Sequence, residues 1–258
     1  MPGKPWRPFI QALRTELGHL LKRECRCEIC MEPLNANSPC HFLCQYCWSQ
    51  LPVVHNPCCQ CGESLPRQFQ GKRCLRCQQK PPAYDYCISR FSFSSPIDQW
   101  IRLGKDKRQP EWMVRLAQLM WSGPLPPLEM VDALVYIPSH WQRLLWRGYN
   151  PAAMLAGQIS RYANIPLLDH TLLRVRHLEQ RHLRVNERHR QIRTSMQGGH
   201  QPLAGLRLLL IEDVVTSGAT ASWAAQLLKQ QGAAMVGVWT LARTTIPHSA
   251  ISSGIIPP

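Results

Sequence analysis

The chain has 258 residues, of which 45% are hydrophobic and 18% charged, a composition typical of one or two globular domains. No apolar run approaches the roughly 20 residues needed to cross a bilayer, and the N-terminus lacks the unbroken apolar segment of a signal peptide, so we expect a cytoplasmic protein with no membrane insertion. The formal net charge of +14 favours anionic partners such as nucleic acids, nucleotides or phosphorylated metabolites, although a generally basic surface without a dedicated partner would give the same charge.

The cysteines form an internal repeat that follows residues 1–24, a mixed charged and apolar extension that we expect to be helical. Eleven of the twelve cysteines lie between Cys25 and Cys77, and eight of them make four pairs with two-residue spacers. Two thiolates with this spacer converge on one ion, and two such pairs complete a tetrahedron. The repeat therefore predicts a double zinc ribbon. Its ligands are Cys27, Cys30, Cys44 and Cys47 at the first site and Cys58, Cys61, Cys74 and Cys77 at the second.

Zinc is the expected ion at both structural sites, because closed all-thiolate sites suit it, and iron is the alternative. A unit of about 30 residues has too little apolar core to fold without such a metal. Closed sites of this kind are not catalytic, so the region is expected to hold its shape or to bind a partner. Cys40 or His41 is an alternative ligand at the first site, although the regular pairs are simpler.

Residues 78–87 contain two prolines and are suited to a linker. Helix-like and strand-like segments alternate beyond this stretch. Helical apolar spacing occurs at residues 97–107, 111–123, 150–166 and 220–233, and short apolar strands occur at residues 131–138, 206–214 and 234–243. Strands that alternate with helices predict an α/β fold, a parallel sheet with helices on both faces.

Two adjacent acids, Glu212 and Asp213, close the second of these strands in the stretch "LLLIEDVVTSGAT". Ligands of open parallel sheets bind beyond the carboxyl ends of the strands. The loop that follows suits a phosphate, because a helix N-terminus exposes N–H groups, glycine and alanine allow close approach, and hydroxyl groups add donors. Its residues are Thr216, Ser217, Gly218, Ala219 and Thr220. Since paired carboxylates can accept hydrogen bonds from a ribose diol, we expect a sugar-phosphate site; a plain strand–turn–helix is the alternative.

The stretch resembles the phosphoribosyl pyrophosphate (PRPP) motif of type I phosphoribosyltransferases, which has an apolar strand, two acids and a T-S/T-G-x-T loop. A second segment, "PSHWQRLLWRGYN", has the pattern P-x-x-x-x-R-x-x-x-R-G-[FY]-N. Together with the cysteine repeat, these motifs make the chain resemble the ComF/GntX family, bacterial proteins linked to competence and to the use of external DNA. The resemblance spans about Cys27 to Arg243, nearly the whole chain.

This resemblance implies a double zinc ribbon at residues 25–80 and a type I phosphoribosyltransferase-like domain at 81–245. The C-terminal residues show no periodicity, so we expect a loose tail at 246–258. The resemblance also implies that Glu212 and Asp213 hold ribose hydroxyls, that the loop at 216–220 holds the 5′-phosphate, and that Arg147 holds the pyrophosphate. Lys105 stands where the family has a basic residue after its first domain helix. Mg²⁺ would accompany PRPP in an active enzyme.

The chain departs from the family pattern in the segment that follows Arg147. Tyr149 stands in place of a phenylalanine and Pro151 in place of a glutamine, departures that bear on turnover and not on the fold.

A basic stretch lies between Thr171 and His200, where only two glutamates oppose seven arginines: Arg174, Arg176, Arg181, Arg184, Arg188, Arg190 and Arg193. Such density suits the phosphates of a nucleic acid or of PRPP, and the resemblance suggests a flap over the active site.

Two hypotheses about function remain. In the first, the protein is a phosphoribosyltransferase that binds PRPP or a nucleotide. In the second, it is a non-catalytic scaffold of DNA uptake that binds single-stranded DNA or DNA-uptake proteins and carries a degenerate PRPP pocket.

Overall fold

The computed structural model describes residues 25–68, 71–175 and 195–244. The predicted helical extension, the C-terminal tail and all arginines of the basic stretch except Arg174 lie outside these residues. The chain divides into two compact units, one that ends at Leu51 and one that begins at Pro52. The first cysteine set therefore belongs to the first unit, whereas the second set shares the compact unit of the sheet. The domain division at residues 80 and 81 stays a prediction from the motifs.

Two sheets lie in the second unit. The strands are β1 (Tyr86–Ser92), β2 (Ala133–Tyr136), β3 (Leu172–Arg174), β4 (Met196–Gly198), β5 (Arg207–Val215) and β6 (Met235–Arg243). The main sheet has four parallel strands in the order β1–β6–β5–β2, and β3 pairs with β4 in a small antiparallel sheet. The central strands β5 and β6 are nearly unbroken apolar runs, because helices cover both of their faces.

The helices confirm this layered arrangement. They are α1 (Gln45–Ser49), α2 (Leu75–Gln79), α3 (Ile97–Asp106), α4 (Glu111–Trp121), α5 (Trp141–Arg147), α6 (Pro151–Ala163) and α7 (Ala219–Gln230), with a 3₁₀ turn at Leu128–Met130. Helix α7 packs its alanines and leucines against Leu208 and Leu210 on one face of the sheet. Helices α4 and α6 contact the other face, where the rings of Trp121 and Trp239 lie 6.3 Å apart. The predicted α/β fold class is thus confirmed.

Two aspartates fix the strand register at the amino ends of the sheet. Asp132 accepts hydrogen bonds from the backbone N of Arg207 and from its guanidinium, each at 2.8 Å, and these bonds lower the pKa of Asp132 to about 2. Asp85 accepts from the backbone N of Val236 at 2.7 Å and pairs with Lys229 at 2.8 Å. Because both edge strands are aligned in this way, the carboxyl ends of all four parallel strands meet at one edge.

The linker prediction was wrong at its C-terminal end. Tyr86 and Cys87 already belong to β1, which pairs with β6 at the edge of the main sheet. Helix α5 and the small β3–β4 sheet also lie where no element was predicted. No helix in the described ranges has both the length and the apolar character needed to cross a bilayer.

Candidate functional site

Both cysteine sets converge as tetrads. Within each set the four Sγ atoms lie within 4.8 Å of one another. The Sγ atoms of Cys30 and Cys44 are 3.6 Å apart, and those of Cys61 and Cys74 are 3.8 Å apart. A tetrahedral ion with Zn–S bonds of about 2.3 Å would set this separation at roughly 3.8 Å. The regular pairs therefore form both tetrads, without Cys40 or His41, and their donor sets fit zinc.

Asp213 lies on β5 at the carboxyl edge of the main sheet, opposite the end of α3. Its Oδ2 pairs with Nζ of Lys105 at 2.7 Å, and its Oδ1 accepts from the backbone N of Val214 at 2.7 Å. Lys105 belongs to the last turn of α3. The fold thus brings the predicted basic residue directly onto the predicted ribose acceptor.

Glu212 leaves β5 on the other side of the sheet, because neighbouring side chains in a strand alternate between faces. Its Oε2 is buried and accepts no hydrogen bond from any described residue. Burial, and then the charge of Asp213, raise the pKa of Glu212 to about 8, against the opposing charges of Lys105, Arg243 and Arg174. A buried carboxyl oxygen without a partner is costly, so this atom is available to a ligand hydroxyl.

Arg174, at the end of β3, is a second buried side chain with unused hydrogen-bonding capacity. Its Nε has no partner among the described residues, and burial lowers the pKa of its guanidinium. The sequence marked Arg174 only as one of seven basic residues. The structure shows that β3 brings Arg174 into the same cleft as Glu212.

The predicted phosphate loop turns from β5 into α7. Gly218 has φ 78° and serves as the N-cap of α7, and the backbone N of Ala219 donates to Oγ of Ser217 at 3.4 Å. The left-handed conformation of Gly218 lets the chain reverse into the helix, whose first backbone N–H groups have no acceptor within the helix. From beneath the loop, Nη1 of Arg243 donates to the carbonyl of Thr216 at 2.6 Å.

The segment expected to bind pyrophosphate follows β2 and forms α5. Nε of Arg147 donates to the carbonyl of Lys105, and its Nη2 lies 3.7 Å from Asp106 Oδ1. Tyr149 donates to the carbonyl of Gly104, and Asn150 caps α6 by accepting from the backbone N of residue 152. These motif residues therefore attach the segment to α3 and start α6. Burial lowers the pKa of Arg147.

All these elements surround one cleft of about 460 Å³, a volume suited to a sugar phosphate or nucleotide. Its lining includes Lys105, Arg143, Arg147, Arg174, Glu212, Asp213, Thr216, Ser217 and Thr220. The sequence-predicted residues Gly218 and Ala219 shape the same loop but do not line the cleft. Arg143 lines it together with Arg147, which lies one turn later on α5. The cleft thus has carboxylates, which could bind a diol, beside cations and hydroxyls, which could bind phosphates.

The chain has relatives of known name that align with most of its length. The chain is 31% identical over 226 residues to DNA utilization protein YhgH of Salmonella typhimurium, covering 84% of this chain and 96% of that protein. The protein of the same name from Escherichia coli K12 is 30% identical with the same coverage. This chain belongs to the ComF/GntX family. The resemblance inferred from the cysteine repeat and the PRPP-like motif is therefore confirmed.

A more distant ComF/GntX relative is Competence protein F of Haemophilus influenzae, 27% identical over 226 residues, with 79% of this chain and 97% of that protein aligned. No model of a protein family matches the sequence. Among solved structures, the glutamine PRPP amidotransferase of Bacillus subtilis complexed with ADP and GMP overlaps 50% of this chain and 25% of its own, at 15% identity and a TM-score of 0.33. A purine phosphoribosyltransferase of Pyrococcus horikoshii overlaps 53% of this chain and 73% of its own, at 17% identity and a TM-score of 0.28. TM-scores of this size do not establish a shared fold.

Proposed function

We propose that this ComF/GntX protein serves the use of external DNA and that its cleft binds Mg·PRPP or a nucleotide. The observation that carries the proposal is the pair Glu212 and Asp213 at the carboxyl edge of the sheet, with the buried Oε2 of Glu212 lacking a partner among the described residues. The names of its relatives, DNA utilization protein and competence protein, support the process.

The ligand's ribose would occupy the acidic side of the cleft. Its two vicinal hydroxyls would donate to Asp213 and Glu212, which leave β5 on opposite faces but both line the cleft at the end of the strand. Diol binding requires Lys105 to leave or share the Asp213 carboxylate, to which it is paired at 2.7 Å in the free protein. A released Lys105 is then well placed for an anionic group of the same ligand.

The ligand's phosphates would occupy the basic side. The 5′-phosphate would lie against the hydroxyls and backbone N–H groups of residues 216–220. The pyrophosphate would lie towards Arg143 and Arg147, since a guanidinium fork matches phosphate oxygens. Mg²⁺ would arrive with the pyrophosphate and neutralise part of its charge. In a transfer reaction the C1′–O bond to pyrophosphate breaks, a bond from C1′ to the acceptor nitrogen forms, and the acceptor loses its proton.

Calorimetric titration with Mg·PRPP tests binding. Asp213→Asn is expected to weaken binding at least tenfold, because it loses a charged acceptor for the ribose diol; a tenfold change corresponds to about 1.4 kcal/mol. The matched control is Asp132→Asn, which breaks the ion pair to Arg207 at the amino ends of the sheet, where neither residue lines the cleft. If the wild-type protein fails to bind at millimolar Mg·PRPP, ligand binding at this cleft is refuted. Pyrophosphate release with a nucleobase acceptor would separate an enzyme from a sensor.

Direct binding of single-stranded DNA is a second candidate function, favoured by the surface of α5. This helix exposes 56% of Trp141 and 50% of Trp146, and the guanidinium of Arg108 lies 4.5 Å from the ring centre of Trp146. Exposed aromatic rings beside arginines suit stacking on unpaired bases and contact with phosphates.

Retardation of single-stranded DNA at several salt concentrations tests this candidate, since phosphate contacts make affinity fall as salt rises. Trp146→Ala is expected to weaken retention several-fold, whereas Tyr162→Ala, an exposed ring on α6, should not. Absence of retention by the wild type at low salt would remove direct DNA contact.

A further inference from the structure

The second cysteine tetrad is seated directly on the main sheet. Nε2 of Gln60, between two of the ligands, donates to the carbonyl of Tyr84 at 2.7 Å and to that of Asp85 at 3.2 Å. Gly62 has φ 69°, and a Cβ there would lie 2.5 Å from Oγ of Ser89 on β1. The turn that carries Cys58 and Cys61 is therefore closely fitted to the edge strand.

A buried arginine connects this turn to the phosphate loop. Arg243 ends β6, and its side chain is 1% exposed. On one side Nη1 donates to the carbonyls of Thr216 at 2.6 Å and Val215 at 3.3 Å. On the other side Nη2 lies 3.9 Å from Oε2 of Glu63, the residue that follows Gly62. One guanidinium thus spans from the cysteine turn to the first residues of the loop.

The charges around Arg243 explain how a cation can be kept there. Burial disfavours its charged form, and the carboxylate of Glu63, 3.9 Å from Nη2, opposes that cost. A metal-bound Cys61 is a thiolate. Negative charge therefore faces Arg243 from the side of the cysteine turn, while its hydrogen bonds reach the loop.

We propose that Arg243 is a positioning residue through which a metal ion in the Cys58–Cys61–Cys74–Cys77 tetrad holds the phosphate loop in its binding conformation. The loop's role in ligand binding rests on the proposed function; the structural link does not. With the metal bound, the turn at Cys61 and Glu63 fixes one end of the guanidinium, and its Nη1 fixes the carbonyls of Val215 and Thr216. Without the metal, this end of Arg243 loses its fixed partners and the loop loses an anchor.

Hydrogen–deuterium exchange of the peptide that covers residues 215–222 tests the link without any ligand. Cys74→Ser removes a ligand of the second tetrad and is expected to accelerate exchange in this peptide about tenfold or more. Cys44→Ser is the matched control: it removes the equivalent ligand of the first tetrad, which lies in the unit ending at Leu51. Each variant should lose one metal ion per chain, but only Cys74→Ser should alter the loop. Equal effects of the two variants, or none, would overturn the proposal.

Arg243 itself is tested by two substitutions that leave all eight ligands in place. Arg243→Met should keep the metal content of the wild type yet accelerate loop exchange to the level of Cys74→Ser. Arg243→Lys, which keeps the charge but cannot donate to both sides, should fall between. If Arg243→Met does not fold, Arg243→Lys decides: wild-type exchange in its loop contradicts the proposal.

Titration of the same variants with Mg·PRPP separates this inference from the proposed function. Arg243→Lys and Cys74→Ser are expected to weaken binding about tenfold, whereas Cys44→Ser should bind like the wild type. If the wild type binds no PRPP, the proposed function fails, and the exchange measurement still decides whether Arg243 links the tetrad to the loop.

Discussion

Glu212 and Asp213 are neighbours in sequence but differ in their hydrogen-bond and ion-pair partners. Asp213 has an ammonium group and a backbone N–H as partners, whereas Oε2 of Glu212 is buried without one among the described residues. The pKa of Glu212 is accordingly raised to about 8. Two carboxyl groups with such different surroundings can play different parts, one as a fixed acceptor and the other as a group that carries a proton in the free protein.

The raised pKa of Glu212 makes stability depend on pH. The unfolded chain releases this proton near the ordinary pKa of 4.5, whereas the folded protein keeps it up to about pH 8. The contribution of the protonated form is therefore complete below the lower value and lost as pH rises through the upper one. Glu212→Gln cannot ionise, so its unfolding free energy should rise relative to the wild type by on the order of a few kcal/mol between about pH 5 and pH 9. Urea unfolding across this range measures it, and a difference that does not change with pH would contradict it.

At the scale of elements, the turn between β5 and α7 depends on the conformation of one glycine. An alanine at Gly218 would have to adopt φ 78°, and its Cβ would lie 3.1 Å from Oη of the buried Tyr84. Gly205 provides a control with φ 76° and no atom within 4 Å of a Cβ. Gly205→Ala should lower the unfolding free energy by about 1–2 kcal/mol, the cost of the left-handed conformation alone.

Gly218→Ala should lower the unfolding free energy further than Gly205→Ala and should also weaken Mg·PRPP binding, because Tyr84 or the loop must move. Urea unfolding and calorimetry on the two variants provide the comparison. Equal stability losses, with binding unchanged in both, would show that the close approach to Tyr84 is unimportant.

The elements that sequence could predict are those whose apolar pattern is strong. Strands β5 and β6 and helices α3, α4, α6 and α7 all bury a regular set of side chains, and their periodicity marks them. Helix α5 has no buried residue, so it shows no such pattern. Strand β1 buries Ser89 and Arg90 among its apolar residues, which breaks the strand signal.

The same distinction holds for the site. The acids and the loop are contiguous in sequence, and Lys105 and Arg147 followed from the resemblance. Arg243 comes from the end of β6, which the parallel sheet brings to the site, and Arg174 comes from β3 of the small antiparallel sheet. One sequence signal could have indicated Arg243 as a site residue: it is a charged residue at the end of a buried strand, β6.

At the scale of the whole molecule, the two tetrads serve units of very different size. The described part of the first unit buries few large apolar side chains, among them Phe42, Leu43 and Leu51, whereas the second tetrad rests on an extensive sheet. We therefore expect the first unit to depend on its metal for folding.

A strong chelator should remove two zinc ions per chain and unfold the unit that ends at Leu51, while the sheet persists. Metal analysis gives the stoichiometry, and limited proteolysis read by mass spectrometry should show cuts at residues 25–51 that disappear when zinc is restored. A first unit that resists proteolysis without metal, or a wild-type protein that contains no zinc, would contradict this expectation.

Under the proposed function, the ion pair between Lys105 and Asp213 would also select among the ligands that reach the cleft. A nucleoside or free ribose would have to separate the pair to reach the carboxylate, and it brings no anion to compensate the displaced ammonium. A phosphorylated sugar brings both the hydroxyls for Asp213 and the negative charge for Lys105. The Asp213 carboxylate is already paired in the free protein. A ligand that satisfies both Asp213 and Lys105 offsets the loss of that pair, so unphosphorylated nucleosides should bind more weakly than PRPP or nucleotides.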